Sequence, residues 1–474
     1  MTGLLVCSHR GPVVHRQGPD GVRTEPAGPG GLVAVVAPAL ERLGGTWVYA
    51  PSSREEIELA RVRRAGAGPV DFQVLDLPPD AHRDHYRTIS SELLVPLFHY
   101  LLPLADAPAF SDRLWRAWDG YRLVNQLYGA AIRRHGGGDG VLVEDVHLML
   151  AAAAARSEPG RRLDAPLTYF QHIPWCEPDY FGVLPGSIRL EILSGLLAYD
   201  CVGFHCRRWA DAFAACCERF LAGATRTGDR IEWRGRAAQL VVAPSPLDPA
   251  RLAERAAAPR TGEWRRRFEE IRGPRRLLVR VERADPSKNA VRGLEAYALL
   301  LERHPELVGQ VCLLAVLTPV RGWIPEYSRY LERCKAAAAA VNRRFGRPGG
   351  RDPVTLHMST DAYAFDQHRA LGALGLADVL VVSSLFDGLN IVAMEGLLTG
   401  EPALVLSENA GVHALLGRHA LSVNPFDVAQ TAAAMEQALD VPAPERIRRV
   451  TAGRAAVTAQ TPEGWVRARL ESCR

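Results

Sequence analysis

Short apolar runs rich in β-branched residues recur along this chain, and longer amphipathic stretches separate them; no other feature restricts the possible folds so strongly. The runs lie at 4–8, 140–144, 167–172, 201–205, 277–281, 311–317, 379–383 and 403–406, and helical patterns fill 113–134, 207–221, 290–303, 324–345 and 429–439. Strands separated by helices build parallel sheet from βαβ units, so the expected class is α/β. A seam falls at Ala243-Pro244-Ser245-Pro246-Leu247-Asp248-Pro249, where three prolines interrupt a strand and a helical stretch begins. It divides the chain into domains at 1–246 and 247–474, with the last helix a candidate to pack back on the first domain. In open parallel sheets ligands bind beyond the carboxyl ends of the strands, so two facing sheets would share one cleft and site residues should follow strands directly.

Composition narrows the function. With 474 residues, 47% hydrophobic and 23% charged, the chain has globular composition and room for two domains, which excludes disordered, collagenous and disulfide-scaffold classes. No run of about 18 apolar residues offers a membrane span, and the first strand begins too early for a cleavable leader; a cytoplasmic location is expected. The nine cysteines are scattered, include the adjacent Cys216 and Cys217, form no C-x-x-C pair, and read as reduced structural thiols. A net charge of +4 is spread over the whole length, which argues against a nucleic-acid partner. Only two of the 57 basic residues are lysines, Lys288 and Lys335. In so arginine-biased a chain, a lysine marks a place where a compact ammonium cannot be exchanged for a planar guanidinium.

Several segments after strands have the makings of a site. Gly28-Pro29-Gly30-Gly31-Leu32 opens a helical run and is either a phosphate cradle or a plain turn; the dinucleotide pattern fails at Val33. Arg280-Val281-Glu282-Arg283-Ala284-Asp285-Pro286-Ser287-Lys288-Asn289 sets Arg283 and Lys288 where they could meet a diphosphate, or else form a solvated charge cluster. Phe386-Asp387-Gly388-Leu389-Asn390 precedes a helix whose amides could hold phosphate or sugar and whose Glu395 could bind ribose hydroxyls; a capped surface helix is the alternative. His172 ends a strand and Pro174 fixes the chain's exit, while Asp145 and His147 follow the strand at 140–144. No D-x-D sequence occurs, so no metal is expected.

Taken in order, Ser8-His9-Arg10-Gly11-Pro12, Gly30-Gly31-Leu32, Trp118-Asp119-Gly120-Tyr121 with Val124-Asn125, Glu144-Asp145-Val146-His147-Leu148, His172-Ile173-Pro174-Trp175, Val281 to Lys288, Asp387 to Asn390 and Val423-Asn424-Pro425-Phe426-Asp427 resemble the trehalose-6-phosphate synthase family. The resemblance runs from about residue 4 to about residue 440. It implies a retaining, metal-independent glycosyltransferase of two Rossmann-like domains facing across a cleft, the GT-B type. Such an enzyme moves a hexosyl unit from GDP- or UDP-glucose to a sugar phosphate and needs no cofactor. Carried over by position, Gly31, Arg283, Lys288, Asp387, Gly388, Leu389 and Asn390 would hold the donor, with Glu395 on its ribose. Asp145, His172, Arg283 and Lys288 would serve catalysis, and Arg10, Trp47, Tyr86 and Arg321 the acceptor and its phosphate.

The chain departs from the family pattern at telling places. Val95 stands where the family has tryptophan, and the family's His-Asp-Tyr-His reads Glu144-Asp145-Val146-His147. Phe386 and Met394 replace two cations beside the donor. These changes motivate an alternative, coupling of a nucleotide-activated cyclitol to a sugar or cyclitol phosphate. A noncatalytic nucleotide-sugar sensor is the alternative from another class. Neither nucleic acid nor membrane is an expected partner, and assembly into a homo-oligomer stays open.

Overall fold

The structure is a computed structural model that describes residues 3–18, 21–26, 31–62, 69–157, 163–358 and 366–473. The chain forms two compact units, one of residues 1–245 with 462–474 and the other of 246–461. The first unit is built on a nine-stranded sheet in the order Val70–Val74, Gly45–Tyr49, Leu4–Ser8, Gly140–Glu144, Leu167–Gln171, Cys201–Phe204, Arg236–Val242, Arg230–Trp233 and Thr225–Thr227. Its first seven strands are parallel and the last two add antiparallel pairings. The second unit holds a six-stranded parallel sheet, ordered Val354–Met358, Val311–Thr318, Arg276–Arg283, Val379–Val382, Ala403–Ser407 and Leu421–Val423. Both units are Rossmann-like α/β layers.

The apolar runs became strands because helices cover both faces of a parallel sheet, leaving no polar face to write an alternating pattern. Leu4–Ser8, Gly140–Glu144 and Leu167–Gln171 are buried at every position. Val13–Gly18 and Gly21–Pro26 form a separate antiparallel hairpin, and Gly45–Tyr49, Val70–Val74 and Val354–Met358 are further strands whose short, mixed sequences gave no such run. The prolines at the seam give way to the helix Pro249–Ala257, capped by Asp248, whose carboxylate accepts from the amides of Ala250 and Arg251 at 3.1 Å.

The chain passes from the first unit to the second between Ser245 and Pro246. The last helix, Pro462–Glu471, belongs to the first unit, because Trp465, Val466 and Leu470 are part of that unit's apolar core. It lies so close that a Cβ at Gly140 would stand 2.3 Å from Leu470. The reading of all nine cysteines as reduced thiols is corrected. Cys473, just past this helix, is bonded to Cys201 across a Cα separation of 5.5 Å, a spacing a disulfide spans. The other seven cysteines are buried and free. Among the described residues no helix is long and apolar enough to cross a membrane.

Candidate active site

In the second unit the central strand Arg276–Arg283 ends at a short turn of helix, Pro286–Lys288, and the neighbouring strand Val379–Val382 ends at the loop 383–390. Adjacent parallel strands bring the two loops together at their carboxyl ends. Lys288 meets the carboxylate of Asp387 there, and the same carboxylate oxygen accepts from Ser384 Oγ at 3.1 Å and Asn390 Nδ2 at 3.0 Å. Behind them Arg280 is fully buried, donating to Glu282 at 3.1 and 3.2 Å, to Ser383 Oγ at 2.9 Å and to the Lys288 carbonyl at 3.1 Å. Burial raises the Glu282 carboxyl against the pull of Arg280. Asp285 caps its own turn through Ser287, and its other oxygen accepts from Arg321 at 3.2 Å and lies 3.7 Å from Arg283.

Arg283 remains substantially exposed, at 47% of its side chain, which leaves its charge available. The helix Ile391–Thr399 starts from Asn390, whose side chain makes no capping bond to the first turn, and its amides and dipole favour an anion. One turn on, Glu395 is buried and accepts from Gln367 at 3.0 Å, and burial pushes its carboxyl up to about 7. Gly388 and Leu389 are buried, so only main-chain groups of that pair are suited to a ligand. Gly28, Pro29 and Gly30 lie outside the described residues; Gly31 begins the helix Gly31–Leu43 of the first unit.

In the first unit Asp145 and His172 lie at the ends of the neighbouring strands Gly140–Glu144 and Leu167–Gln171. The Asp145 carboxylate accepts from the His172 amide at 3.3 Å, and the His172 ring sits 2.7 Å from Glu144 Oε2. Arg10 is exposed and donates to the Tyr86 hydroxyl at 2.8 Å. Beside them His9 stacks on Tyr86 at 4.3 Å and on His147 at 4.7 Å, with His82 and His85 at 5.3 and 5.5 Å. Tyr86 and His85 come from Asp84–Leu94, a run wound with π-helical hydrogen bonds, a winding that often marks functional segments. Burial, and then the neighbouring imidazoles, hold His9 well below its ordinary range, and burial takes His85 down to about 3. The result is an aromatic wall, with His9 and His85 kept neutral within it, flanking the exposed guanidinium of Arg10. Tyr86 is one of the residues the family resemblance assigns to the acceptor, and His9 and His147 lie inside quoted motifs; His82 and His85 are the members that nothing in the sequence pattern marked.

Two sequence expectations are corrected. Trp47 was assigned to the acceptor but is fully buried in the strand Gly45–Tyr49, its indole donating to Ser8 Oγ at 2.8 Å, so it supports the segment leading to Arg10 from behind. Val95 and Val146 are buried at 6% and 0% exposure, so neither is an exposed wall of an acceptor pocket. Arg321 is in the second unit, held by Asp285 and by the Tyr327 hydroxyl at 2.8 Å. Backbone strain independently points to the same residues. Among the described residues six non-glycine residues have positive φ, and four of them, Asp145, Asn289, Arg321 and Asn390, belong to or adjoin the candidate set. Such conformations cost about 1–3 kcal/mol each and persist where the surroundings enforce them, most often at functional sites. Among the described residues, no group of His, Cys, Asp and Glu is arranged to hold a metal ion.

Two Rossmann-like domains with polar loops at the ends of their parallel strands define a glycosyltransferase of the GT-B type. The chain matches Glycosyltransferase family 20 over residues 3–474, and it belongs to that family. It is 30% identical over 453 residues to a UDP-forming alpha,alpha-trehalose-phosphate synthase 1 of Aspergillus fumigatus, covering 92% of this chain and 83% of that one. Among solved structures it is similar to the trehalose-6-phosphate enzyme of E. coli bound with UDP-2-fluoro glucose, with a TM-score of 0.84, 26% identity, and 100% and 99% of the two chains covered. A UDP-forming alpha,alpha-trehalose-phosphate synthase of Burkholderia xenovorans in complex with glucose-6-phosphate matches at a TM-score of 0.83 and 26% identity, covering 99% of each chain.

Proposed function

We propose that this glycosyltransferase moves a glucosyl unit from UDP-glucose to glucose 6-phosphate with retained configuration, giving trehalose 6-phosphate. The observation that carries the reading is the convergence of Lys288, Asp387 and Asn390 at the ends of two adjacent strands, next to the start of the helix Ile391–Thr399. The UDP-forming relative and the E. coli complex with UDP-2-fluoro glucose favour uridine over guanine. In this reading Arg283 and Lys288 face the donor diphosphate, and the first-turn amides of Ile391–Thr399 together with the Asp387 to Asn390 loop hold phosphate and sugar. Glu395 receives the ribose hydroxyls, and Gly31 lies along the donor. Arg10, Tyr86 and Arg321 bind the acceptor and its phosphate, a dianion suited to guanidinium forks.

The chemistry follows from these charges. The bond from the anomeric carbon to the diphosphate oxygen breaks while the acceptor hydroxyl bonds to that carbon on the same face. The departing diphosphate takes the hydroxyl proton, and Arg283 and Lys288 stabilise the charge it gains. Two cations on the chain meet that charge, so the reading requires no metal and no cofactor. Asp145 and His172 contact the donor sugar and orient it. We place the reaction in the cytoplasm, where both sugar phosphates and nucleotide sugars are made.

The test is incubation of the purified chain with UDP-, GDP- and ADP-glucose against glucose 6-phosphate and a panel of other sugar and cyclitol phosphates, with products read by mass spectrometry and NMR. A disaccharide phosphate with two α anomeric carbons from UDP-glucose and glucose 6-phosphate is expected. Product from a cyclitol phosphate alone, or donor binding with no product from any acceptor, would refute the reading.

A further inference from the structure

We infer that Arg469, on the helix that follows the whole second unit, is a positioning residue that acts through Glu144 to fix the ring of His172. The contacts form an unbroken line. Arg469 is 1% exposed and donates from one guanidinium nitrogen to Glu144 Oε1 at 2.8 Å and from another to Thr168 Oγ1 at 3.1 Å. Its plane is held by the rings of Trp465, at 4.4 Å, and Phe170, at 4.7 Å. The second oxygen of Glu144 lies 2.7 Å from His172 Nε2.

Glu144 is fully buried, which by itself would favour its neutral form, but Arg469 and then His172 outweigh the burial and hold the carboxyl below its usual range. An ionised carboxylate can only accept hydrogen bonds. It therefore requires the imidazole to carry a proton on Nε2, the nitrogen that faces it, and so holds the ring in one orientation with its Nδ1 edge turned away from Glu144. Around the ring stand Glu144, His205 at 5.3 Å, Phe170 at 5.0 Å and Trp465 at 6.5 Å, with Arg469 behind Glu144. His205 is kept neutral chiefly by burial, so Glu144 is the anionic partner that sets the ring's tautomer. A carboxylate without Arg469 would be a buried unpaired charge, a condition proteins tolerate poorly.

The kinetic part of this inference rests on His172 touching the donor sugar; the tautomer does not. The experiment therefore reads both. Nitrogen-15 NMR of histidine-labelled full-length protein, with His172→Asn for assignment, reports which ring nitrogen of His172 is protonated, and steady-state kinetics with UDP-glucose and glucose 6-phosphate separates kcat from KM. Wild type should show the proton on Nε2. Removing Arg469 alone strands a buried charge and can unfold the unit, so the decisive variant is Glu144→Gln with Arg469→Met, a neutral pair of similar volume. It should mix the tautomers and lower kcat roughly 10–100-fold, the usual range for an orienting partner, with KM for the donor within about twofold. Arg469→Lys, which keeps the charge, should retain the Nε2 proton and recover most of kcat. A folded double variant with the wild-type tautomer and kcat would overturn the inference. If the wild type turns over neither substrate, the proposed reaction fails and the tautomer alone decides the positioning role.

Discussion

Replacing Gly293 by alanine sets two effects against each other in one residue. Gly293 lies inside the helix Ala290–Arg303, where alanine is normally favoured over glycine by about 1 kcal/mol. A Cβ at this position, however, would stand 2.0 Å from one Arg280 guanidinium nitrogen and 2.6 Å from its central carbon. Arg280 has no room to yield, because it is fully buried and bonded to Glu282, Ser383 and the Lys288 carbonyl. Displacing the guanidinium loosens its buried, hydrogen-bonded ion pair with Glu282, whose loss costs about 3–5 kcal/mol. Even half of that outweighs the helical gain. The expected net is a loss of about 2–4 kcal/mol, which for a unit of this size lowers Tm by roughly 5–15 °C.

Gly262 provides the control. It is also helical, in Pro259–Arg272, and the nearest atom to its added Cβ is the end of the Arg266 side chain at 3.9 Å. Gly262→Ala should therefore raise stability by up to about 1 kcal/mol. Calorimetry and urea melts of the two variants decide the matter. Gly293→Ala as stable as wild type would show that Arg280 is not the rigid back wall of the Lys288 loop. Its kcat/KM should fall with its stability, because Arg280 holds the Lys288 carbonyl.

Lys288→Ala should cut kcat/KM roughly 100-fold, on the order of 3 kcal/mol for one preorganised charge, while the fold survives because Asp387 keeps its bonds from Ser384 and Asn390; normal turnover would remove Lys288 from the donor site. Glu395 is raised in the fold from 4.5 to about 7, so between those values the folded state binds the extra proton and stability falls as pH rises, by an amount on the order of 3 kcal/mol that is complete above pH 7. Glu395→Gln should remove that slope, appearing more stable than wild type at pH 8 and similar at pH 4, while weakening donor binding; urea midpoints that vary with pH alike in both proteins would contradict this. The Cys201–Cys473 bond links residues 272 apart, for which chain entropy gives an upper bound of about 6 kcal/mol. Dithiothreitol should lower the urea midpoint of wild type and leave Cys473→Ser unmoved, and a wild type indifferent to the reductant would refute a stabilising role.

Much of this molecule is legible in the sequence, for a physical reason. Strands covered by helices on both faces need unbroken apolar runs, and helices covering a sheet need an amphipathic period, so Leu4–Ser8, Val311–Thr318 and Ala290–Arg303 can be read within a residue or two. Lys288 stood out because arginine had displaced nearly every other lysine, and the structure sets it against Asp387. The hairpin at 13–26 was not legible, since polar strands such as Val13–Gly18 carry no such run. Nor was the fate of Trp47. A tryptophan near an acceptor motif reads as binding surface until the neighbouring strand shows that Ser8 Oγ accepts its indole hydrogen bond.

Glu144 shows why part of a site escapes any reading along the chain. Taken alone it is a carboxylate at the end of an apolar strand, and burying it unpaired would be prohibitive. What makes it tolerable lies 325 residues away on Arg469, and what gives it a use lies 28 residues away on His172. Local propensity and motif spacing carry no term for a partner reached only after the chain has built an entire second unit and returned. The same return brings Trp465 into the first unit's core, so packing and charge compensation arrive on one helix. A charge buried at the end of a strand is therefore itself a long-range prediction: somewhere in the chain an opposite charge must come back to meet it.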